Sequence, residues 1–253
     1  MSDEPWEPEL HEGTAGRPMP SVAPTAIRVV TWNIAFGHEI ERAARALTTT
    51  EELSMADIVL LQEMDELGSE TIARAVGMNH VFASSGRHSR TGRHFGNAVL
   101  SRWPVRDPEI VVLPHKSAVQ GQRRIAVRAT VVIGDIDIDA CSVHTEVPSL
   151  SPAKRRRQFD EVVEATRRWT PDRLVIGGDF NTLTRRGVDI VRERMRRVGA
   201  EHVSAGAGST LRRGGRQFAL DHVFARGVTP LAAGVVDDAT ASDHQPLWVH
   251  LAL

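Results

Sequence analysis

Runs of β-branched and aliphatic residues recur along the chain, and most of them stop at a polar side chain. The first, "IRVVTWNI" (27–34), is continuous enough to predict a buried strand. Ile40, Ala43, Ala44 and Leu47 then recur at helical spacing, so a helix follows. "ADIVLLQE" (56–63) predicts a second buried strand closing on Gln62 and Glu63, with a short helix over 69–76 after it. Weaker strands are expected near 79–83, 95–101 and 109–114, and a basic, glycine-punctuated loop spans 84–96. "RRIAVRATVVI" and "DIDIDACSVH" alternate across Gly134-Asp135, the best hairpin signal in the chain. Ser151-Pro152 reads as a helix cap with proline at the first helical position, and Phe159, Val162, Val163 and Thr166 form that helix's buried stripe. "RLVIGGDF" is a strand, Val188, Val191, Met195 and Val198 mark a helix, and "QFALDHVFA", "GVTPLAAGVV" and "QPLWVHLAL" close as strands.

Strands outnumber helices, and the middle of the chain lacks a helix between each strand pair. That pattern excludes a doubly wound parallel sheet and predicts an α/β (α+β) layered domain with mixed, largely antiparallel sheets and helices outside. Residues 27–253 read as one domain. Residues 1–26, rich in Pro, Gly and Glu, read as a flexible tail with no secretory pattern.

Composition adds mainly exclusions. The net charge is −1, so attraction for a polyanion has to be local. Cys141 is the single cysteine, which excludes an intrachain disulfide and a cysteine metal cluster. Tyrosine is absent, and no stretch reaches the length of a membrane span. The cytoplasm is the expected compartment and a monomer the expected state.

The chemistry lies where the strands end. Asn33, Glu63, His144, Asp179 with Asn181, Asp221, and Asp243 with His244 come from six separate segments, each at a strand terminus or edge. If those ends converge, they line a cleft with carboxylates, carboxamides and imidazoles, a set suited to hydrolysis at phosphorus. Mg²⁺ (or Mn²⁺) takes hard oxygen ligands, which Glu63 and Asp243 could supply with Asn33 nearby. Asp179 could deprotonate or orient a water and Asn181 could donate to a phosphate oxygen. His244 beside Asp221 would be held in one tautomer with its charged form favoured, and His144 is a second donor. Zinc is not expected, because the histidines lack the short paired spacings of zinc helices. Nor is a nucleophile elbow visible around Ser142 or Cys141.

The ordered set "TWNI", "LQE", "GNAVLSRWP", "SVHTE", "GGDFN", "LDHVF" and "SDHQPL" strongly resembles the endonuclease/exonuclease/phosphatase superfamily from about residue 27 onward. The resemblance implies a four-layer α/β/β/α sandwich of two sheets face to face. It also implies a Mg²⁺ or Mn²⁺ site and in-line water attack on a phosphoester. Asn33, Glu63 and Asp243 match the metal side, and Asp179 and Asn181 the water-orienting and phosphate-binding pair. Asp221 and His244 match the paired carboxylate and histidine, and His144 matches the deoxyribonuclease and phosphatase branches. The absence of tyrosine departs from the abasic-site branch. The expected function is a phosphodiesterase, foremost a nuclease acting on nucleic acid. The alternatives are a phosphomonoesterase or lipid-headgroup hydrolase and, more remotely, a non-catalytic phosphate-binding domain.

His222 is read as an ordinary solvent-facing side chain on an edge strand, pointing away from Asp221. Arg123 and Arg124 are read as a solvated strand end, and "KRRRQ" and "RERMRR" as solvated helix faces. Arg87, Arg90 and Arg93, with Arg212, Arg213 and Arg216, are the better candidates for phosphate contacts. No stacking platform for bases is evident, and Asn97 is left unassigned.

Overall fold

The computed structural model describes residues 8–16, 19, 22–87, 92–117, 121–169 and 172–253. The first part of the chain forms β1 (Leu10–Gly13), β2 (Ala26–Asn33), α1 (Ile40–Thr49), α2 (Glu51–Ser54), β3 (Ile58–Met64), α3 (Glu66–Val76), β4 (Asn79–Arg87) and β5 (His94–Ser101). A meander of β6 (Val105–Lys116), β7 (Arg123–Ile133) and β8 (Ile136–His144) leads into α4 (Pro152–Thr166), β9 (Arg173–Asp179) and α5 (Arg185–Arg196). The chain closes with β10 (Glu201–His202), β11 (Leu211–Arg213), β12 (Arg216–Phe218), β13 (Asp221–Arg226), β14 (Thr229–Val235) and β15 (Leu247–Ala252).

Seven strands pair in the order β1-β4-β5-β3-β2-β15-β14 and six in the order β10-β13-β9-β8-β7-β6. Among the described strands only β2/β3 and β8/β9 run parallel, so both sheets are mixed and largely antiparallel, as expected. The apolar runs serve two cores at once, because successive side chains on a strand face opposite ways. Val29, Ile58 and Leu60 meet Ile125, Val127 and Val175 between the sheets. Their neighbours Val30, Val59 and Leu61 pack outward with Ala43, Leu47 and Ile72 of α1 and α3. On the other sheet, Leu174 and Ile176 pack outward with Phe159, Val162 and Val191 of α4 and α5. The result is the four-layer α/β/β/α sandwich.

The hairpin over Gly134-Asp135 forms, with Gly134 at φ 63° where a side chain would be strained. Ser151 caps α4, its hydroxyl accepting from the Lys154 N–H. Elsewhere the stretch expected to be mobile contains β1, which pairs antiparallel with β4, Leu10 opposite Ala83. Residues 1–7, 17–18 and 20–21 of that stretch lie outside the described residues. The segment carrying Arg212, Arg213 and Arg216 forms a hairpin, β11 with β12. No helix among the described residues is long and apolar enough to cross a membrane.

Candidate active site

Strand register brings the polar ends together. β2 and β3 run parallel and finish side by side at Asn33 and Gln62, one residue before Glu63. β15 runs antiparallel to β2 with Leu247 opposite Thr31, which sets Asp243 and His244 beyond the same end. In the second sheet His144 lies opposite Asp179, and Asp221 opposite Asp179 from the other side. All eight candidate residues therefore gather at one end of the sandwich. The Asn33 amide spans the two sheets, its Nδ2 donating to Asp179 Oδ2 at 3.1 Å.

The backbone there is unusual. Of the six non-glycine residues with positive φ among the described residues, Ala35, Phe36, Glu63 and Asn181 lie at this end. Such conformations cost about 1–3 kcal/mol each and persist where the surroundings impose them. Glu63, φ 58°, sits at a bulge where β3 shifts register against β5. Asn181, φ 51°, ends the extended run, so Asp179 and Asn181 are not successive same-side residues of one strand. Instead the Asn181 N–H donates to Asp179 Oδ1 at 2.8 Å, and its Nδ2 donates to the Thr145 carbonyl at 2.9 Å. Phe180 turns into the core, fully buried. The preceding glycines make room for protein. A Cβ on Gly178 would strike the Val143 carbonyl oxygen of β8, and one on Gly177 would press on Leu60 across the sandwich.

Asp179, Asp221, His144 and His244 are all buried. Asp221 Oδ2 accepts from His244 Nδ1 at 2.8 Å, and His244 Nε2 lies 3.8 Å from Asp179 Oδ2. Burial alone would lower the His244 pKa, but Asp221 and Asp179 together raise it to about 10, so the ring is an imidazolium at neutral pH. Burial raises the Asp179 carboxyl to about 7 against the pull of His244. His144 behaves oppositely. Burial and the neighbouring Arg124 hold its pKa well below the ordinary value, so it is neutral. Arg124 Nη1 reaches His144 Nδ1 at 3.4 Å, which leaves the proton on Nε2, 3.5 Å from Asp179 Oδ2 and 3.9 Å from Glu63 Oε1.

Glu63 and Asp243 form the open side. The Glu63 side chain retains 13% exposure and Asp243 is exposed. Burial raises the Glu63 pKa and Asp243 raises it further, while Arg124, His244 and a hydrogen bond from Asn33 oppose the rise. A Glu63 carboxyl raised in this way, with Asp243 beside it at a solvent-facing rim, fits a hard divalent cation. Asn33 fits less directly as an oxygen ligand, because its Oδ1 already accepts from the Ala35 N–H at 3.0 Å. Ligand atoms of Asp179, Asp221 and His244 also lie within 4.8 Å of one another. There the His244 ring is engaged through Nδ1 and supplies the positive charge itself.

Several supporting residues escaped the sequence reading. Arg124 is buried rather than solvated. It pairs with buried Glu146 at 3.1 Å and lies over the Phe95 ring. Arg155, within "KRRRQ", turns inward and donates to the carbonyls of Glu146 and Asn181 at 3.1 and 2.5 Å. The Thr210 hydroxyl accepts from the Leu220 and Asp221 N–H groups, which fixes the start of β13. His222 does point away from Asp221, but β13 lies inside its sheet and the ring is buried, 2.7 Å from the Thr182 hydroxyl. Asn97 is structural, donating to the Ile125 and Ser142 carbonyls. Arg93 pairs with Asp65 and Arg212 with Asp237, Arg213 and Arg216 are exposed, and Arg90 lies outside the described residues. Half-buried Phe36 lies 5.4 Å from buried Phe95, whose ring is 6.2 Å from His144.

Residues 30–244 match the model of the Endonuclease/Exonuclease/phosphatase family. No curated protein matches the chain. An endonuclease/exonuclease/phosphatase structure from Beutenbergia cavernae is similar with TM-score 0.72 and 20% identity, over 91% of this chain and 72% of that one. One from Bacteroides vulgatus also has TM-score 0.72, with 16% identity, over 91% of this chain and 100% of that one. D. rerio TDP2 complexed with a single-strand DNA product has TM-score 0.66 and 18% identity, over 91% of this chain and 100% of that one.

Proposed function

Because the chain belongs to the endonuclease/exonuclease/phosphatase family, whose common chemistry is phosphoester hydrolysis, we propose that it is a divalent-metal-dependent phosphodiesterase and, among these, a nuclease. The observation that carries this reading is the imbalance of charge at one end of the sandwich. Glu63, Asp179, Asp221 and Asp243 converge there on the His244 imidazolium, while Arg124 is spent on Glu146 and Arg155 on the carbonyls of Glu146 and Asn181. The likeness to a structure holding a DNA product favours nucleic acid as substrate.

Glu63 and Asp243 would hold Mg²⁺ or Mn²⁺, which when bound neutralises charge developing on the phosphoryl and leaving oxygens. Asp179, with its pKa pushed up to about 7, is poised to take a proton from the attacking water. Asn33 and the Asn181 N–H fix the two carboxylate oxygens of Asp179, so the base cannot swing away. Asn181 Nδ2, spending one hydrogen on Thr145, keeps another for a phosphate oxygen. His144 offers a neutral Nε2–H, and His244, locked by Asp221, offers a charged one.

The test is a panel of plasmid DNA, single-stranded DNA and RNA, a bis-aryl phosphodiester, sphingomyelin and inositol phosphates, with Mg²⁺ or Mn²⁺. Cleavage of the nucleic acids, abolished by EDTA and by Asp179→Ala, is expected. Turnover indifferent to EDTA overturns the metal reading. Turnover confined to the lipid or inositol phosphates overturns the nuclease reading.

A further inference from the structure

At the edge of the seven-stranded sheet, far from the hard-oxygen rim in chemistry, is a second group of ligands. Glu9, His11 and His94 each present one ligand atom, all within 4.8 Å of one another. Glu9 immediately precedes β1 and His11 lies within it, two residues apart on an extended backbone, so their side chains share a face. His94 opens β5, and its ring lies 6.3 Å from that of His11. Helical spacing was the zinc signal absent from the sequence. A strand achieves the same proximity with a spacing of two.

The orientation of His11 is the informative detail. Its Nδ1 lies 3.0 Å from Glu66 Oε1 of α3, so the carboxylate fixes the ring and its tautomer. That leaves Nε2 facing Glu9 Oε2 at 3.6 Å, and Nε2 is buried without a hydrogen-bond partner. A carboxylate on one ring nitrogen and an unspent, buried nitrogen on the other is how ligating histidines are held. Donors around a tetrahedral zinc stand about 3.3 Å apart, given metal–donor distances of about 2.0–2.1 Å. The His11–Glu9 separation is within a small adjustment of that value.

We propose that Glu9, His11 and His94 bind a borderline transition-metal ion, Zn²⁺ foremost, with Glu66 as the positioning carboxylate. Two imidazoles and one carboxylate suit zinc, not the magnesium expected at Glu63 and Asp243. The ion clamps β1 to the start of β5, holding the edge strand whose pairing with β4 covers only residues 10–13.

The experiment uses the full chain, stripped of metal and titrated with zinc alone in a Glu63→Gln/Asp243→Asn background, which removes the competing oxygen site. Zinc should still be retained after dialysis, and it should slow amide hydrogen exchange at residues 10–13 where magnesium does not. His11→Gln and His94→Gln should lose both effects. Glu66→Gln, which leaves all three ligands in place, should weaken zinc binding about 10–100-fold. Exchange at 10–13 slowed by zinc equally in the His11 and His94 variants, or unchanged by zinc in the unsubstituted cluster, overturns the proposal. Exchange in the background protein itself needs no histidine variant to fold.

Discussion

β7 contributes to two buried ionic pairs, one at mid-strand and one at its start, and the two behave differently. At mid-strand Arg128 pairs directly with Asp139 of β8, with Thr130 donating to Asp139 Oδ1 at 2.8 Å and the guanidinium over the Trp169 ring. At the start of β7, Arg124 pairs with Glu146 at 3.1 Å, but this pair adjoins His144 and, past it, a group of carboxylates. The first pair balances a buried carboxylate directly against a buried guanidinium. The second leaves negative charge in excess beside an exposed rim at Asp243. Burial of charge is therefore a poor guide to function by itself; the unbalanced remainder is the better one.

This contrast can be broken experimentally. The largest effect belongs to Asp179→Asn, expected to cut turnover about 10³-fold as a lost general base while the melting temperature holds. Arg128→Met should do the reverse, costing about 3 kcal/mol of stability with turnover unchanged. Adding Asp139→Leu to it should recover most of that loss in chemical denaturation, because the pair is dispensable once both charges go. Glu63→Gln should raise the Mg²⁺ concentration for half-maximal activity about tenfold, or about 1.4 kcal/mol, with activity returning at high Mg²⁺. A further effect concerns pH. Burial lowers the His222 pKa to about 3, from an ordinary 6.5 in the unfolded chain. Between those values the unfolded state binds a proton that the folded state refuses. Stability is thus fully present above pH 6.5 and falls as the pH drops towards 3. His222→Gln should flatten that slope by about 1.4 kcal/mol per pH unit, read from urea midpoints.

Much of this site is legible in the sequence, because each catalytic candidate directly follows or precedes an apolar run. Asn33, Glu63, His144 and Asp179 stand where such runs stop, and strand register then brings them together. What stays hidden depends on distant partners. Arg124 is buried because Glu146, 22 residues later, compensates it. Thr210 matters only because the hairpin of β11 and β12 returns the chain to Asp221. β1, "LHEG", has no apolar alternation; it is a strand because β4 offers it an open edge. The left-handed turn at Asn181 is equally silent, and it redirects the side chain that an extended strand would have aimed elsewhere.

The Trp32 indole donates to the His244 carbonyl at 2.9 Å, joining positions 212 residues apart. Its neighbour Asn33 joins the two sheets. No fragment of the chain can therefore hold a partial version of the site, and a proteolytic cut anywhere in the middle should abolish turnover once the pieces separate. During refolding, recovered turnover would time the last long-range closure, the docking of the C-terminal strand beside the first long one, and not the earlier formation of the local hairpins.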